Sequence, residues 1–158
     1  MKRMIIEELK RRVQDELAVA QAASDNTASY ARDGDVKSDG KYDTRGIEAG
    51  YLAGAQEKRV EELKLELQML EELPLREFSR DEEVAIGALV GIELNGQTRH
   101  YFLSSTAGGT ILQIENTPVL VISVFSPIGD AVMGQKLGDE FELETPQGTR
   151  VYLVKSIS

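Results

Sequence analysis

Four aspartates, Asp33, Asp35, Asp39 and Asp43, crowd one short stretch: Arg32-Asp33-Gly34-Asp35-Val36-Lys37-Ser38-Asp39-Gly40-Lys41-Tyr42-Asp43. Carboxylates this close can do two kinds of work. They can hold a hard cation such as Mg²⁺, which takes one or two carboxylates and completes its shell with water or phosphate oxygens. They can also make a solvated turn, because Asp bonds its own backbone and Gly accepts a positive φ. Residue types alone favour the turn. Arg32, Lys37, Lys41 and Arg45 interleave with the acids and balance them.

Other chemistries are closed off by composition. The chain of 158 residues has no cysteine, which removes disulfides, thiol catalysis and thiolate metal sites. The single His100 rules out a multi-histidine metal site within one chain, and beside Tyr101 in a β-rich run it reads as structural. No Ser-His-Asp arrangement is supported by spacing, and no Walker-type phosphate loop occurs. Net charge is −9. Neither half carries the basic excess of a protein that binds nucleic acid through its phosphates, so a protein partner or a metal ion fits better. No apolar run approaches the roughly 20 residues needed to span a bilayer. Acids follow directly on Met1-Lys2-Arg3-Met4-Ile5-Ile6, so no signal-peptide core is expected there and a cytoplasmic protein is the default.

The elements that position the acidic stretch are long helices. From Lys2 to about Arg32 there is no proline or glycine, and Ile6, Leu9, Val13, Leu17 and Ala20 form one helical stripe. Ala22, Ala23, Ala28 and Ala31 then shrink the side chains towards the tip. A second helix is expected from about Thr44 to Leu73, with Asp43 or Thr44 as N-cap and Pro74 as stop. Its stripe, Ala49, Ala53, Gln56, Val60, Leu63, Leu67 and Leu70, alternates spacings of four and three, the seam of a coiled coil. Gly46, Gly50 and Gly54 recur every four residues in its first half, which predicts a close approach of the two helices. Each helix would be roughly 45 Å long. Folded back on each other, they make an antiparallel hairpin over residues 1–76 with residues 32–43 at its tip. A hairpin that satisfies its own seam argues for a monomer.

Residues 77–83 read as a linker, and residues 84–158 as a different texture. Leu89–Leu94, Arg99–Leu103, Thr110–Ile114, Val119–Val124, Glu140–Glu144 and Arg150–Val154 read as strands. Asn95-Gly96 is a hairpin turn and Gln147-Gly148 a weaker one. Asp130–Gly134 reads as one short helix. The expected class is α+β: a helical hairpin followed by an antiparallel sheet around a short helix.

The segment Ser126-Pro127-Ile128-Gly129-Asp130-Ala131-Val132-Met133-Gly134-Gln135-Lys136-Leu137-Gly138-Asp139 resembles the C-terminal signature of the bacterial Gre transcript cleavage factors. Glu144-Thr145-Pro146-Gln147-Gly148 continues the likeness. Gly34-Asp35-Val36, Tyr42, Gly50-Tyr51 and Gly54 resemble that family's tip and second helix. The resemblance implies an FKBP-like C-terminal domain that docks at the rim of the RNA polymerase secondary channel while the hairpin enters it. Ser126, Pro127, Ile128 and Gly134 would then be partner-binding residues. The resemblance further implies that tip carboxylates help hold a second Mg²⁺ and a water at the polymerase active site, next to the nascent RNA 3′ end. The factor would be accessory, with no catalytic residues of its own, and would stimulate cleavage of backtracked RNA. Asp35 takes the family's Asp position, whereas Ser38 stands at its Glu position and Asp39 is next in line. On this reading Asp35 and Asp39 are the metal candidates and Asp33 and Asp43 are caps. A non-cleaving inhibitor or modulator at the same site, or a coiled-coil adaptor for another protein, are the alternatives. Prolyl isomerase activity, known in FKBP-like folds, is not expected from a chain with no Trp and four Phe.

Overall fold

The computed structural model describes residues 1–32 and 45–158. Two long helices come first, α1 over Lys2–Arg32 and α2 over Arg45–Glu71. Six strands follow with one short helix among them: β1 Leu89–Leu94, β2 Gln97–Ser104, β3 Ile111–Ile114, β4 Thr117–Ser123, α3 Pro127–Val132, β5 Glu140–Thr145 and β6 Gly148–Ile157. No described helix is long and apolar enough to cross a membrane. The chain divides into two compact units, Lys10–Gln68 and Met1–Leu9 with Met69–Ser158.

In the Lys10–Gln68 unit, α1 and α2 form a hairpin whose buried positions are those the heptad spacing selects. Val13, Val60 and Leu63 are buried, and Leu17, Ala20, Ala49, Ala53, Gln56 and Leu67 are half-buried. Most residues between them are exposed, charged ones together with Val19, Tyr51, Leu52 and Leu65, so the seam is narrow on each helix. Arg59 pairs with Glu16 across the seam at 2.9 Å. Both ends of this pair are half in water, so it orients the helices and adds little stability. The glycine series has a different meaning from the one its spacing suggests. A Cβ added at Gly46, Gly50 or Gly54 would meet nothing within 4 Å. These glycines face open space, so they weaken α2 without bringing α1 closer.

The second unit holds a six-stranded sheet in the order β3-β4-β2-β1-β6-β5. The expected all-antiparallel sheet is instead mixed: β2 and β4 run parallel, His100 to Ser104 alongside Val119 to Ser123. The reason is topological. The chain leaves β2, makes the β3–β4 hairpin beyond it, and re-enters beside β2 in the same direction. Asn95 (φ 51°) and Gly96 (φ 77°) make the expected tight turn between β1 and β2. The β3–β4 turn uses Glu115 (φ 47°) and Asn116 (φ 66°), the same conformation without a glycine.

One face of the sheet carries the main core: Val90, Ile92, Tyr101, Leu103, Ile122, Phe141, Tyr152 and Val154, closed by Phe78, Val84 and Val132. Pairing puts Phe102 and Val121 on the opposite face, and both are fully buried. Ile5, Leu9, Leu70 and Leu73 are buried in this unit as well. The segment 77–83, polar in sequence, is ordered here. Phe78 lies under Lys2 at 5.0 Å and Arg76 at 4.0 Å, and the Lys2 amine donates to the Arg76 carbonyl. Ser79 and Glu82 cap each other: the Ser79 N–H donates to the Glu82 carboxylate at 2.6 Å and the Glu82 N–H to the Ser79 carbonyl at 3.1 Å.

Candidate functional site

Asp35 and Asp39, the candidate metal residues, lie outside the described residues. Among the described residues no group of three acidic or imidazole side chains is placed to hold a metal. The candidate partner-binding residues are all described. They sit on one continuous loop and helix, residues 125–139, whose shape is fixed by identifiable bonds.

Ser126 is the N-cap of α3. Its hydroxyl accepts the Gly129 N–H at 3.2 Å and donates to the Ser123 carbonyl at 2.7 Å, which ties the helix start to the end of β4. Pro127 follows at the first helical position, where no amide hydrogen is needed. The helix therefore starts at Pro127 and ends at Val132, one turn earlier than the Asp130–Gly134 reading. Gly129 has to be glycine: an added Cβ would sit 1.9 Å from the Ser123 carbonyl oxygen. Ile128 is half-buried against the core, so only part of it is available to a partner.

Gly134 ends the helix with φ +80°, a conformation that favours glycine. Its N–H donates to the Val84 carbonyl at 2.9 Å, and the Val84 N–H returns a bond to Gln135 at 2.8 Å. Beyond it, Asp139 accepts the Lys136 N–H on its carboxylate at 2.7 Å. The Gly138 N–H and Asp139 carbonyl then clamp Val154 at 2.9 Å each. The segment is thus held at Ser123, Val84 and Val154. A surface fixed this way loses little entropy on binding.

What the loop presents outward was only partly anticipated. Pro127 and Gly134 are exposed. The most prominent group is Phe125, 82% exposed and one residue before the cap. Its backbone N–H donates to the Ser123 hydroxyl at 3.1 Å, so its backbone is tethered while the ring stands in water. An exposed aromatic on a fixed loop is the usual chemistry of an interface anchor. The available signal was the end of β4: Phe125 extends the apolar run beyond the strand's last residue, Ser123, and stands just before Ser126 starts the helix.

Beside Gly134 lies a cavity of about 560 Å³ lined by Arg76, Asp81, Glu82, Glu83, Met133 and Lys136, among others. Glu82 is held ionised there. The Ser79 backbone N–H bound to its carboxylate, and then Arg76 at 2.6 Å, push its pKa below the usual carboxylate value. Lys136 reaches Glu83 at 4.0 Å. The surroundings of the loop therefore carry mixed charge around an apolar tip.

Comparison with known proteins follows the same segment. Residues 79–158 match the family described as transcription elongation factor GreA/GreB, C-terminal. The transcription elongation factor GreA of Ruthia magnifica is 26% identical over 136 residues, covering 84% of this chain and 79% of that protein. The transcription inhibitor protein Gfh1 of Thermus thermophilus is 31% identical over 125 residues, covering 77% of this chain and 76% of that one. A crystal structure of GreA factor homolog 1 from Thermus thermophilus is similar at 24% identity, with 94% of each chain covered and a TM-score of 0.40.

Proposed function

We propose, from the premise that this chain belongs to the GreA/GreB family of transcription elongation factors, that it binds RNA polymerase and regulates elongation through the secondary channel. The observation that carries this reading is the family match over residues 79–158, the stretch that contains the pinned loop 125–139. In this reading the loop docks on polymerase with Phe125, Pro127 and the exposed part of Ile128, while the hairpin delivers its tip to the active site. The protein acts as an accessory factor, a monomer in the cytoplasm, next to the RNA 3′ end.

Two outcomes are open to the tip, and its residues divide them. Asp35 and Asp39 supply hard oxygen donors suited to Mg²⁺ held jointly with polymerase, which supports stimulated cleavage of backtracked RNA. Ser38, at the family's Glu position, offers no carboxylate. That, with 31% identity to a protein named as a transcription inhibitor, supports a factor that restrains polymerase without trimming RNA.

The deciding assay uses a stalled, backtracked polymerase complex with the full-length protein added. Trimming that is lost in Asp35→Ala, with polymerase binding kept, establishes the cleavage version. Slowed elongation without trimming establishes the inhibitory version. A protein that neither trims, nor slows elongation, nor competes with a known ligand of the channel overturns the reading.

A further inference from the structure

The sheet has a second candidate surface, away from the docking loop. The pairing registers place Gln97, Arg99 and Tyr101 of β2 on the same face as Ile92 and Leu94 of β1 and Leu120 of β4. Tyr101, Tyr152 and Val132 belong to one core cluster on that face, which α3 covers at one end. At the other end two cavities open. One, of about 460 Å³, is lined by Arg99, Tyr101, Ile111, Asn116, Pro118 and Leu120, among others. The other, of about 350 Å³, is lined by Leu94, Gln97, Arg99, Tyr101, Arg150 and Tyr152, among others. They share Arg99 and Tyr101 and so adjoin as two compartments of one cleft.

The charge in this cleft is opposite to that of the molecule. The chain has 27 acidic residues against 18 basic ones, yet among the described residues no acidic side chain lines either compartment. Alternation explains it: Glu93 of β1 and Glu142 and Glu144 of β5 fall on the other face, and Glu93 is paired with Lys155 at 3.5 Å. Arg99 and Arg150 make no ion pair among the described residues. The Arg99 guanidinium lies near enough to the Tyr101 phenol to oppose the upward pKa shift that burial gives that group. The floor is apolar and firm: Tyr101 and Tyr152 are buried, and the Tyr152 ring stacks on Phe141 at 5.2 Å.

We infer that this cleft binds an acidic, extended segment of a partner protein, seating side chains two residues apart in its two compartments and pairing their carboxylates with Arg99 and Arg150. Guanidinium forks recognise carboxylates with two parallel bonds, which gives both attraction and orientation. Side chains two apart on an extended segment point the same way and are about 7 Å apart. Two such acids engage both arginines, and an apolar residue two further along, on the same side of the segment, lies against Leu94, Leu120 or the exposed Ile111. A small dianion would use the guanidiniums but leave the apolar floor wet. Single-stranded nucleic acid is disfavoured, because both tyrosine rings are buried and offer no stacking face.

The test needs no polymerase, so its failure is separable from failure of the proposed function. The probe is the synthetic peptide acetyl-Glu-Ser-Glu-Ser-Leu-amide, whose two acids and leucine share one side when extended, titrated into ¹⁵N-labelled full-length protein beside its Gln-for-Glu counterpart and free succinate. Amides of residues 94–101, 117, 119, 120 and 149–152 are expected to shift, and the neutral peptide to bind at least about tenfold more weakly. Arg99→Gln and Arg150→Gln are each expected to weaken the acidic peptide by a similar factor, and added salt to weaken it further. Both side chains are exposed, and Arg150→Gln decides if Arg99→Gln disturbs the spectrum through Tyr101. Equal binding of the two peptides, shifts confined to other segments, or succinate reproducing the effect at the same concentration each overturns the inference.

Discussion

Replacing Gly129 by alanine is the sharpest probe of the pinned loop 125–139. The new methyl carbon would lie 1.9 Å from the Ser123 carbonyl oxygen and 2.8 Å from its carbon. Both are backbone atoms, so no side-chain rotation relieves the clash, and the start of α3 must retreat from β4 by about 1 Å or more. That retreat stretches the Ser126 hydroxyl bond to the Ser123 carbonyl, now 2.7 Å, and loosens the cap on the Gly129 N–H. Overpacking of this kind costs about 1–3 kcal/mol and a lost N-cap about 1 kcal/mol, so about 2–4 kcal/mol is expected. Native-state hydrogen exchange reads it directly, at the amides of Leu103, Val121 and Val154, which bond to Ala88, Thr110 and Asp139. Their protection should fall by roughly 30- to 1000-fold. Ser126→Ala removes the cap without the clash and should cost about 1 kcal/mol. If Gly129→Ala leaves protection within about threefold of wild type, or costs no more than Ser126→Ala, the close-approach argument is wrong.

Other perturbations separate the remaining roles. Gly50→Ala and Gly54→Ala, where the added methyl meets open space, should each stabilise α2 by up to about 1 kcal/mol and raise far-UV helical signal and hairpin melting; a loss of stability would mean that the glycines face a neighbour. Phe125→Ser should leave thermal melting unchanged and weaken polymerase binding about tenfold or more, read by competition at the channel; unchanged affinity would exclude Phe125 as an anchor. Burial pushes the Lys2 amine below the usual lysine value, with Glu77 opposing and Arg76 reinforcing the shift. The folded state then releases this proton before the unfolded chain does, so stability gains from this group as pH rises from its folded pKa towards the ordinary lysine value of 10.5. Lys2→Met should flatten that segment of the stability-against-pH curve, measured by urea denaturation on the alkaline side.

Much of this architecture was written in local pattern. The alternating four-and-three spacing from Ala49 to Leu70 marks the residues that are half-buried or buried, because a helix face is a property of its own sequence. Asn95-Gly96 located the first hairpin for the same reason. What was not legible depends on partners distant in sequence. The parallel pairing of β2 with β4 is a choice between strands, and nothing within either strand states it. The turn at Glu115 and Asn116 has the geometry of a glycine turn without the glycine. The polar run at 77–83 concealed the buried Phe78 and the Ser79–Glu82 cap, since their order comes from Lys2 and Arg76. Glycines at spacings of four can mark a packed face or an empty one, and only the neighbouring atoms distinguish them. At the candidate site, Ser126 and Gly134 were singled out for their likeness to a signature. The structure gives both a local task, capping and ending α3, and puts an aromatic in water beside them at Phe125.

The strand order has a consequence for how the sheet comes into being. β1 lies between β2 and β6, and its pairing with β6 joins Val90 to Ile157, while Leu89 and Ser158 exchange backbone bonds at 2.9 and 3.0 Å. The first strand of the sheet therefore waits for the last. During synthesis β1, β2, β3 and β4 can pair as they emerge, but one side of β1 stays open until β6 has been made. Contacts of such long range slow folding, and an open apolar strand edge is where nascent chains associate wrongly. A ribosome stalled before Val151 would hold a half-sheet with Val90 and Ile92 uncovered. Slow translation over residues 95–150 should thus lower the yield of folded protein more than the same delay placed within the helices.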